Sequence, residues 1–526
     1  MVSCGVTGED YEAVVAERAV AQTQVESLRS DLDNAENRIE TLETDFAEAQ
    51  AKVAELQAQL EADRAKIKEL SVRIALTIHE NLLPTTEEMM DWIELIYQQG
   101  IRRPGYIADQ WVERWIYEEF VALGLKDVHL EPVEVLRWED QSCTLTYWLE
   151  SDPQTTISPP CFAIPYSAST DSMEGSLSAV AESKGQIAIS DVDLMTVPQT
   201  LMTAMASRYY DPDGELQTIS QVVPFDIKRM GLMKLAIDEG ALGFIGLLTG
   251  FPWETHEYYV PYDAIQRPIP GLYLSKSDGE QLKELMAKGP VQARIVSKSR
   301  TEMVTTYNVI GMLPGVSDEW IVIGSHHDGP WGSAVEDASG IAMVLAQAKY
   351  WSQVPQEERP HNLLFLLNCG HFANGAGCRA FVKDNAELLN QTVLEIHLEH
   401  AARECRAEGG RLIPTDQPEI RWWWTSEIAE LEDLVEDAIK AESLHRSIML
   451  PPEALGEMPL TDGAYFYPAG VPIVQYLTAP MYLFDAQDTP DMIHQESLVS
   501  VTRAIIRIIN GMQNRCASAL RADVGR

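Results

Sequence analysis

The sequence predicts an α/β body, with a mixed, mostly parallel sheet flanked by helices, standing behind an N-terminal coiled coil. Three observations carry this expectation. Residues 25–74 repeat apolar positions in steps of three and four. After residue 304 short β-type runs alternate with helical runs, the pattern of parallel strands linked by crossover helices. Four of those runs, Trp320–Ile323, Leu363–Leu367, Val393–Leu398 and Val471–Leu477, read as core strands buried on both faces.

The stalk comes first. Val25, Leu28, Leu32, Ala35, Ile39, Leu42, Phe46, Ala49, Val53, Leu56, Leu60, Asp63, Ile67, Leu70 and Ile74 form a heptad seam with Asp63 as its one polar break. No Gly or Pro interrupts it. Val, Leu, Ile and Phe at one core position and mostly Leu and Ala at the other favour a parallel two-stranded coil, hence a homodimer. At 1.5 Å per residue the stretch predicts a rod of roughly 75 Å. Pro84 and the acidic stretch after it end this unit, which is assigned residues 1–80. Met1-Val2-Ser3-Cys4-Gly5 resembles a bacterial lipobox without the apolar segment that precedes one, so Cys4 is a candidate lipid anchor in the cell envelope or another extracytoplasmic site.

Residues 81–155 begin the body. Two helices are expected over 86–125 around the turn Gln99–Gly105, and Val128–Leu149 alternates in the manner of a β-hairpin. Between 156 and 300 the texture changes to short strands such as Gln186–Ile189 and short helices such as Met233–Glu239, marking a separate inserted unit. Residues 301–526 return to the strand–helix alternation.

Composition excludes some functions. Eighty acidic residues against 40 basic ones leave a net charge of −40, which argues against nucleic-acid binding and against attraction to anionic lipid. Seven cysteines without CxxC spacing argue against a zinc ribbon or a disulfide framework. No run of 18 apolar residues occurs, so no membrane-crossing helix is expected. Neither a phosphate loop nor a Gly-x-Ser-x-Gly elbow is present.

Chemistry is expected at the carboxyl ends of the parallel strands, where such sheets form their crevice. His326, His371 and Glu399 lie at or just beyond three of these ends. Imidazole and carboxylate without thiolate suit zinc or a similar divalent ion. By strand alternation His327 and His400, next to stronger candidates, point to the opposite face as ordinary hydrogen-bonded histidines. His397 is left open. Arg403 and Glu404 read as a surface ion pair rather than a grip on a substrate terminus.

At this point a resemblance enters. His326-His327-Asp328 followed by Glu336-Asp337-Ala338-Ser339-Gly340 is similar to the His-x-Asp and Asp-Asp-x-Ser-Gly signature of the M28 metallopeptidases. Asn308–Gly315, Leu363–Phe381, Leu398-Glu399, Thr461-Asp462-Gly463, Gly470-Val471-Pro472 and Gln487-Asp488-Thr489 resemble further stretches of that family. Residues 156–300 resemble the protease-associated (PA) domain inserted in some members. The resemblance implies an M28-type zinc-peptidase fold and, position by position, a metal site of His326, Glu336 and Glu399. Asp328 becomes the carboxylate that orients His326. The general-base position holds His371, which is open to three readings: base, fourth ligand, or neither. The private ligands of the family's second metal fall on Phe372 and Phe484, so one ion rather than two is expected, with Asp485 a weak alternative ligand beside Phe484.

The expected function is therefore a metal-dependent hydrolase, most simply a zinc enzyme, cleaving a peptide or small amide. The alternative from another class is a catalytically inert M28-fold binding protein, since fold alone does not fix function.

Overall fold

The computed structural model describes residues 8–75, 78–225 and 231–521; Cys4, and with it the lipobox expectation, lies outside the described residues. The chain divides into two units, Met1–Arg73 and Ile74–Arg526. The first is a single helix, Gly8–Ala75. Its heptad residues from Val25 to Ile67 stand exposed, with Val25 at 49%, Leu32 at 58% and Phe46 at 64%. Among the described residues no helix is long and apolar enough to cross a membrane.

In the body, the four apolar runs form the strands Asn362–Asn368, Trp320–His326, Thr392–Leu398 and Ile473–Thr478, side by side in that order and all parallel. Alternation sorts their side chains. Ile321, Ile323, Leu363 and Phe365 face the helices Thr86–Tyr97, Gly340–Gln353 and Gln495–Gly511. Val322, Leu364 and Leu366 face Phe381 and Phe466 on the other side. Two strands absent from the sequence expectation extend the sheet: Arg421–Thr425, antiparallel to Ile473–Thr478, and Ser447–Leu450. Three consecutive tryptophans after Arg421 give the first no clean period.

Lys126–Leu149 corrects the hairpin expectation. It is one strand of 24 residues, paired antiparallel with Val291–Leu313 along nearly its whole length. The chain does not turn back within it; the register only shifts between Asp140 and Ser142, an irregularity inside the strand. The start of Val291–Leu313 pairs with Thr170–Ala179, and its end pairs with Asn362–Asn368. One ribbon thus joins a group of strands from residues 156–300 (Phe162–Ala163, Gly271–Leu274, Gly243–Gly250, Ile187–Asp193 and Thr170–Ala179) to the parallel strands. Arg208–Tyr210, from the same stretch of chain, caps the far edge beside Ser447–Leu450.

Asn308 on that ribbon clamps the turn that follows Asn362–Asn368. Its side chain accepts from Cys369 N at 3.1 Å and donates to Gly377 O at 3.0 Å. A Cβ at Gly377 would collide with the Asn308 side chain and the Cys369 carbonyl, so glycine is required there. Asn308→Ala strands two buried backbone groups, and thermal or urea unfolding is expected to show a loss of about 2–5 kcal/mol; an unchanged midpoint would show that the turn holds itself.

Candidate metal centre

The parallel strands end on one crevice, and each delivers a side chain to it. His326 closes its own strand. Glu399 and His400 follow Leu398. His371 follows Asn368 through Gly370, whose φ of +68° turns the chain into the short 3₁₀ turn His371–Ala373. Glu336 comes from the irregular turn Ala334–Ser339 ahead of the helix Gly340–Gln353.

Glu336 is the hub. Its Oε1 lies 3.1 Å from His326 Nε2 and 3.9 Å from His371 Nε2, and its Oε2 lies 2.6 Å from His400 Nε2. Each of two imidazoles is oriented from behind. His326 Nδ1 donates to the Asp328 carbonyl at 2.9 Å, and His400 Nδ1 donates to the Thr478 carbonyl at 2.8 Å. Both rings therefore turn Nε2 toward the hub, as ligating histidines do when the other nitrogen is tied to a carbonyl. Both Nε2 atoms and both Glu336 oxygens are buried without a partner in hydrogen-bonding geometry. Buried polar atoms are rarely left so. The donor set fits a cation: His326, Glu399 and His400, and His326, Glu336 and His371, each bring ligand atoms within 4.8 Å of one another.

The structure thus brings His326, Glu336, Glu399 and His371 together, and adds His400, which sequence reasoning had turned away. The strand ends at Leu398, and His400 takes φ +53°, so alternation does not extend to it and its ring swings back to the hub. A His-Glu pair just past a strand end was the signal available.

Opposite charges hold the cluster. Burial alone would push the His326 and His400 imidazoles down, but Glu336 with its acidic neighbours holds His326 well above the usual value and His400 at about 9. Burial would likewise raise Glu336, and His400 and His326 hold it well below the carboxylate range. Glu399 accepts from Asp462 N at 2.9 Å and lies 3.2 Å from His397 Nε2. Burial opposes its charge, but His397 keeps it down at about 2. His397, left open by the sequence, sits between Glu395 and Glu399 and is raised to about 10 against its own burial.

Backbone supports fix the geometry. Arg102, fully buried, donates to the carbonyls of His327, Gly332, Ser333 and Glu336. Asp488 accepts from Val335 N and Glu336 N, both at 2.8 Å. Asp337 accepts from Ser325 Oγ and from Gly340 N and His400 N, so one carboxylate ties three ligand-bearing segments.

Other expectations are corrected or resolved. The Asp328 carboxylate does not orient His326, whose Nδ1 it approaches only to 3.9 Å; it accepts from His371 N at 3.0 Å and Phe372 N at 2.8 Å, and the orienting group is its carbonyl. His327 does face away: its Nδ1 lies 2.9 Å from Asp109 and its Nε2 2.9 Å from the Tyr307 carbonyl, so both nitrogens are engaged. That leaves the neighbouring Asp109, Glu113 and His327 group a hydrogen-bonded network rather than a cation cradle. Asp485 turns to Trp253 Nε1 and Gln487 N. Glu404 lies 3.5 Å from Arg446, while Arg403 donates to Ile493 O. Phe372 and Phe484 pack with Tyr262, their ring centroids 5.2 and 5.3 Å from it, and close one flank of the cluster.

His371 stacks on His326 with centroids 4.2 Å apart, and its Nδ1 faces Asp462 Oδ1 at 3.3 Å. Burial works against the Asp462 charge, but His371 holds it below the usual carboxylate value. In front of this pair opens a cavity of about 350 Å³, floored by Glu336, His371, Glu399 and Asp462 and walled by apolar side chains such as Phe225, Trp422 and Leu483.

Comparison with known proteins supplies the affiliation. The model of Peptidase family M28 matches residues 308–509. This stretch is an M28 domain. The whole body shares its fold with solved structures of low identity. A Peptidase M28 precursor from Shewanella amazonensis SB2B is 19% identical, with 85% of this chain and 97% of that one covered and a TM-score of 0.63. BSAP, a zinc aminopeptidase from Bacillus subtilis, is 15% identical (81% and 95% covered, TM-score 0.57). An aminopeptidase from Aneurinibacillus sp. strain AM-1 is 17% identical (81% and 93%, TM-score 0.54). No curated protein matches the chain.

Replacing Arg102 by Met leaves four loop carbonyls without their shared donor. Cation affinity of the M28 domain is expected to fall about 10–100-fold in a chelator-competition titration, as for other supports behind metal ligands. An unaltered affinity would show that the loop holds its shape without the guanidinium.

Proposed function

We propose that this chain is a metal-dependent hydrolase of a peptide or small amide bond, working with one divalent ion, zinc foremost. His326, Glu336 and Glu399 would hold it, joined by His400. One observation carries this reading: two imidazole Nε2 atoms, each fixed from behind by a carbonyl, meet both oxygens of a buried carboxylate with no hydrogen bond made. A divalent ion there supplies Lewis acidity toward a carbonyl and toward water.

The protein's own groups divide the remaining work. His371 has the most exposed imidazole of the cluster and lies on the cavity floor, so it is the group placed to take a proton from water at Nε2. Asp462 accepts the Nδ1 proton, fixes that tautomer and stabilises the imidazolium that forms. The apolar walls exclude water and favour a substrate with an apolar group beside the scissile bond. The aromatic wedge of Phe372, Tyr262 and Phe484 supports one ion rather than two, because rings offer a second cation no donor.

The competing reading, a binding protein without turnover, draws on the same aromatic wedge. Turnover of any aminoacyl, dipeptide or acyl-amide substrate that depends on His371 removes it. His371→Ala is expected to lower kcat by about 10²–10⁴-fold with the bound metal unchanged; a variant as active as the parent would sink the base assignment. His326→Ala is expected to lose metal by elemental analysis and activity together. Stoichiometric metal on that variant would overturn the ligand set.

The stalk supports a separate proposal. Its exposed heptad seam suits a second copy of this chain in a parallel coil. Light scattering is expected to give a dimer for the full chain and a monomer once residues 1–73 are removed; a monomeric full chain would contradict it.

A further inference from the structure

Among the described residues six cysteines are free thiols. Cys369 and Cys378 are buried, Cys405 lies against Met492 Sδ at 3.4 Å, and Cys516 is exposed near Ser518. Cys143 and Cys161 differ. Their sulfurs are 3.5 Å apart, and Cys143 Sγ lies 3.1 Å from the Cys161 carbonyl.

The backbone explains the meeting. After Leu149 the chain turns and runs back along the long strand. Tyr147 and Ile157 exchange both backbone hydrogen bonds at 2.9 Å, and Thr146 Oγ1 meets Ser158 Oγ at 2.9 Å. That antiparallel register, continued four residues, sets Cys143 opposite Cys161. Directly opposed residues of an antiparallel pair have Cα atoms about 4.5–5.5 Å apart, inside the range a disulfide spans. Pro159 and Pro160 intervene and supply no N–H, so the chain here lacks a continuous ladder to hold it.

We propose that Cys143 and Cys161 form a disulfide that staples the start of the inserted segment to the long strand. The reaction is thiol–disulfide exchange with a small-molecule or protein disulfide. The Cys143 thiolate attacks one sulfur of the oxidant, breaking its S–S bond and releasing one thiolate. The Cys161 thiolate then attacks the Cys143 sulfur of the mixed disulfide and releases the second. The two cysteines lose two electrons, which leave on the two released thiolates, and their protons pass to solvent. The Cys161 S–H bond to Cys143 holds the Cys143 thiol below its usual value and raises that of Cys161, which makes Cys143 the first nucleophile. Both thiols are only part-buried, so a small disulfide reaches them.

The staple would act on the site's surroundings. Cys161 leads into Phe162, which pairs with Tyr273 in the inserted sheet. The Phe162 ring packs 5.1 Å from Trp331, in the loop between Asp328 and Glu336. Cross-linking therefore fixes the chain where the inserted segment meets the loop that carries the hub.

The test is a redox titration of the full-length protein in mixtures of oxidised and reduced glutathione, followed by alkylation and peptide mapping without reductant. Alkylation of the exposed Cys516 reports that trapping is complete. The expected result is a Cys143–Cys161 cross-linked peptide that grows with oxidant, with a Tm a few °C above that of the reduced protein. Cys161→Ser is expected to lose both the cross-link and the Tm difference, while its Tm matches that of the reduced parent. Two alkylated or separately glutathionylated cysteines on a folded protein at the oxidised extreme would overturn the proposal. So would a cross-link that lowers Tm.

Discussion

Everything at this site turns on a buried carboxylate placed between two imidazoles at the floor of the cavity. Glu336 can be buried because His326 and His400 each turn a ring nitrogen toward it, and those nitrogens are exposed to it because carbonyls hold the far side of each ring. Lone pairs of this kind, facing one another without a completed hydrogen bond, are costly unless a proton or a cation lies among them. His397 with Glu399 follows the same rule, while His371 and Asp462 complete a hydrogen bond at 3.3 Å. The cluster is balanced only as a whole.

The sheet makes that balance available. Four parallel strands bring His326, His371 and Glu399 to one edge, but strand ends alone do not fix side chains to a fraction of an ångström. That falls to groups with no direct part in the cluster. Arg102 gathers the carbonyls of the loop before Glu336, Asp488 takes its amides, and Asp337 joins the strand, the helix start and His400. A loop of this irregularity would otherwise carry many unpaired backbone groups into the interior.

Residues 156–300 shape what the site meets. Tyr262 packs Phe372 and Phe484 into a wedge on one flank, and Phe225 forms part of the cavity wall. Residues of the 156–300 stretch and of the stretch after 304 thus wall the cavity together, and the ribbon of Lys126–Leu149 and Val291–Leu313 joins the two.

The sequence by itself determined the stalk's long helix and heptad seam, the four core strands and the approach of His326, Glu399 and His371, while Glu336 followed only from the family resemblance. Each of the others is written in local periodicity or in position relative to a strand end. Alternation also sent His327 away from the crevice, as found. It failed for His400, because a residue with positive φ leaves the strand's period. It failed at Lys126–Leu149 as well, because a register irregularity and a turn look alike in one dimension. Arg102 and Asp488 lie hundreds of residues apart in the chain and meet only through the folded loop between them, so no spacing announces them. Only the tertiary structure could decide which carbonyl orients which ring, since that depends on backbone groups every residue carries alike.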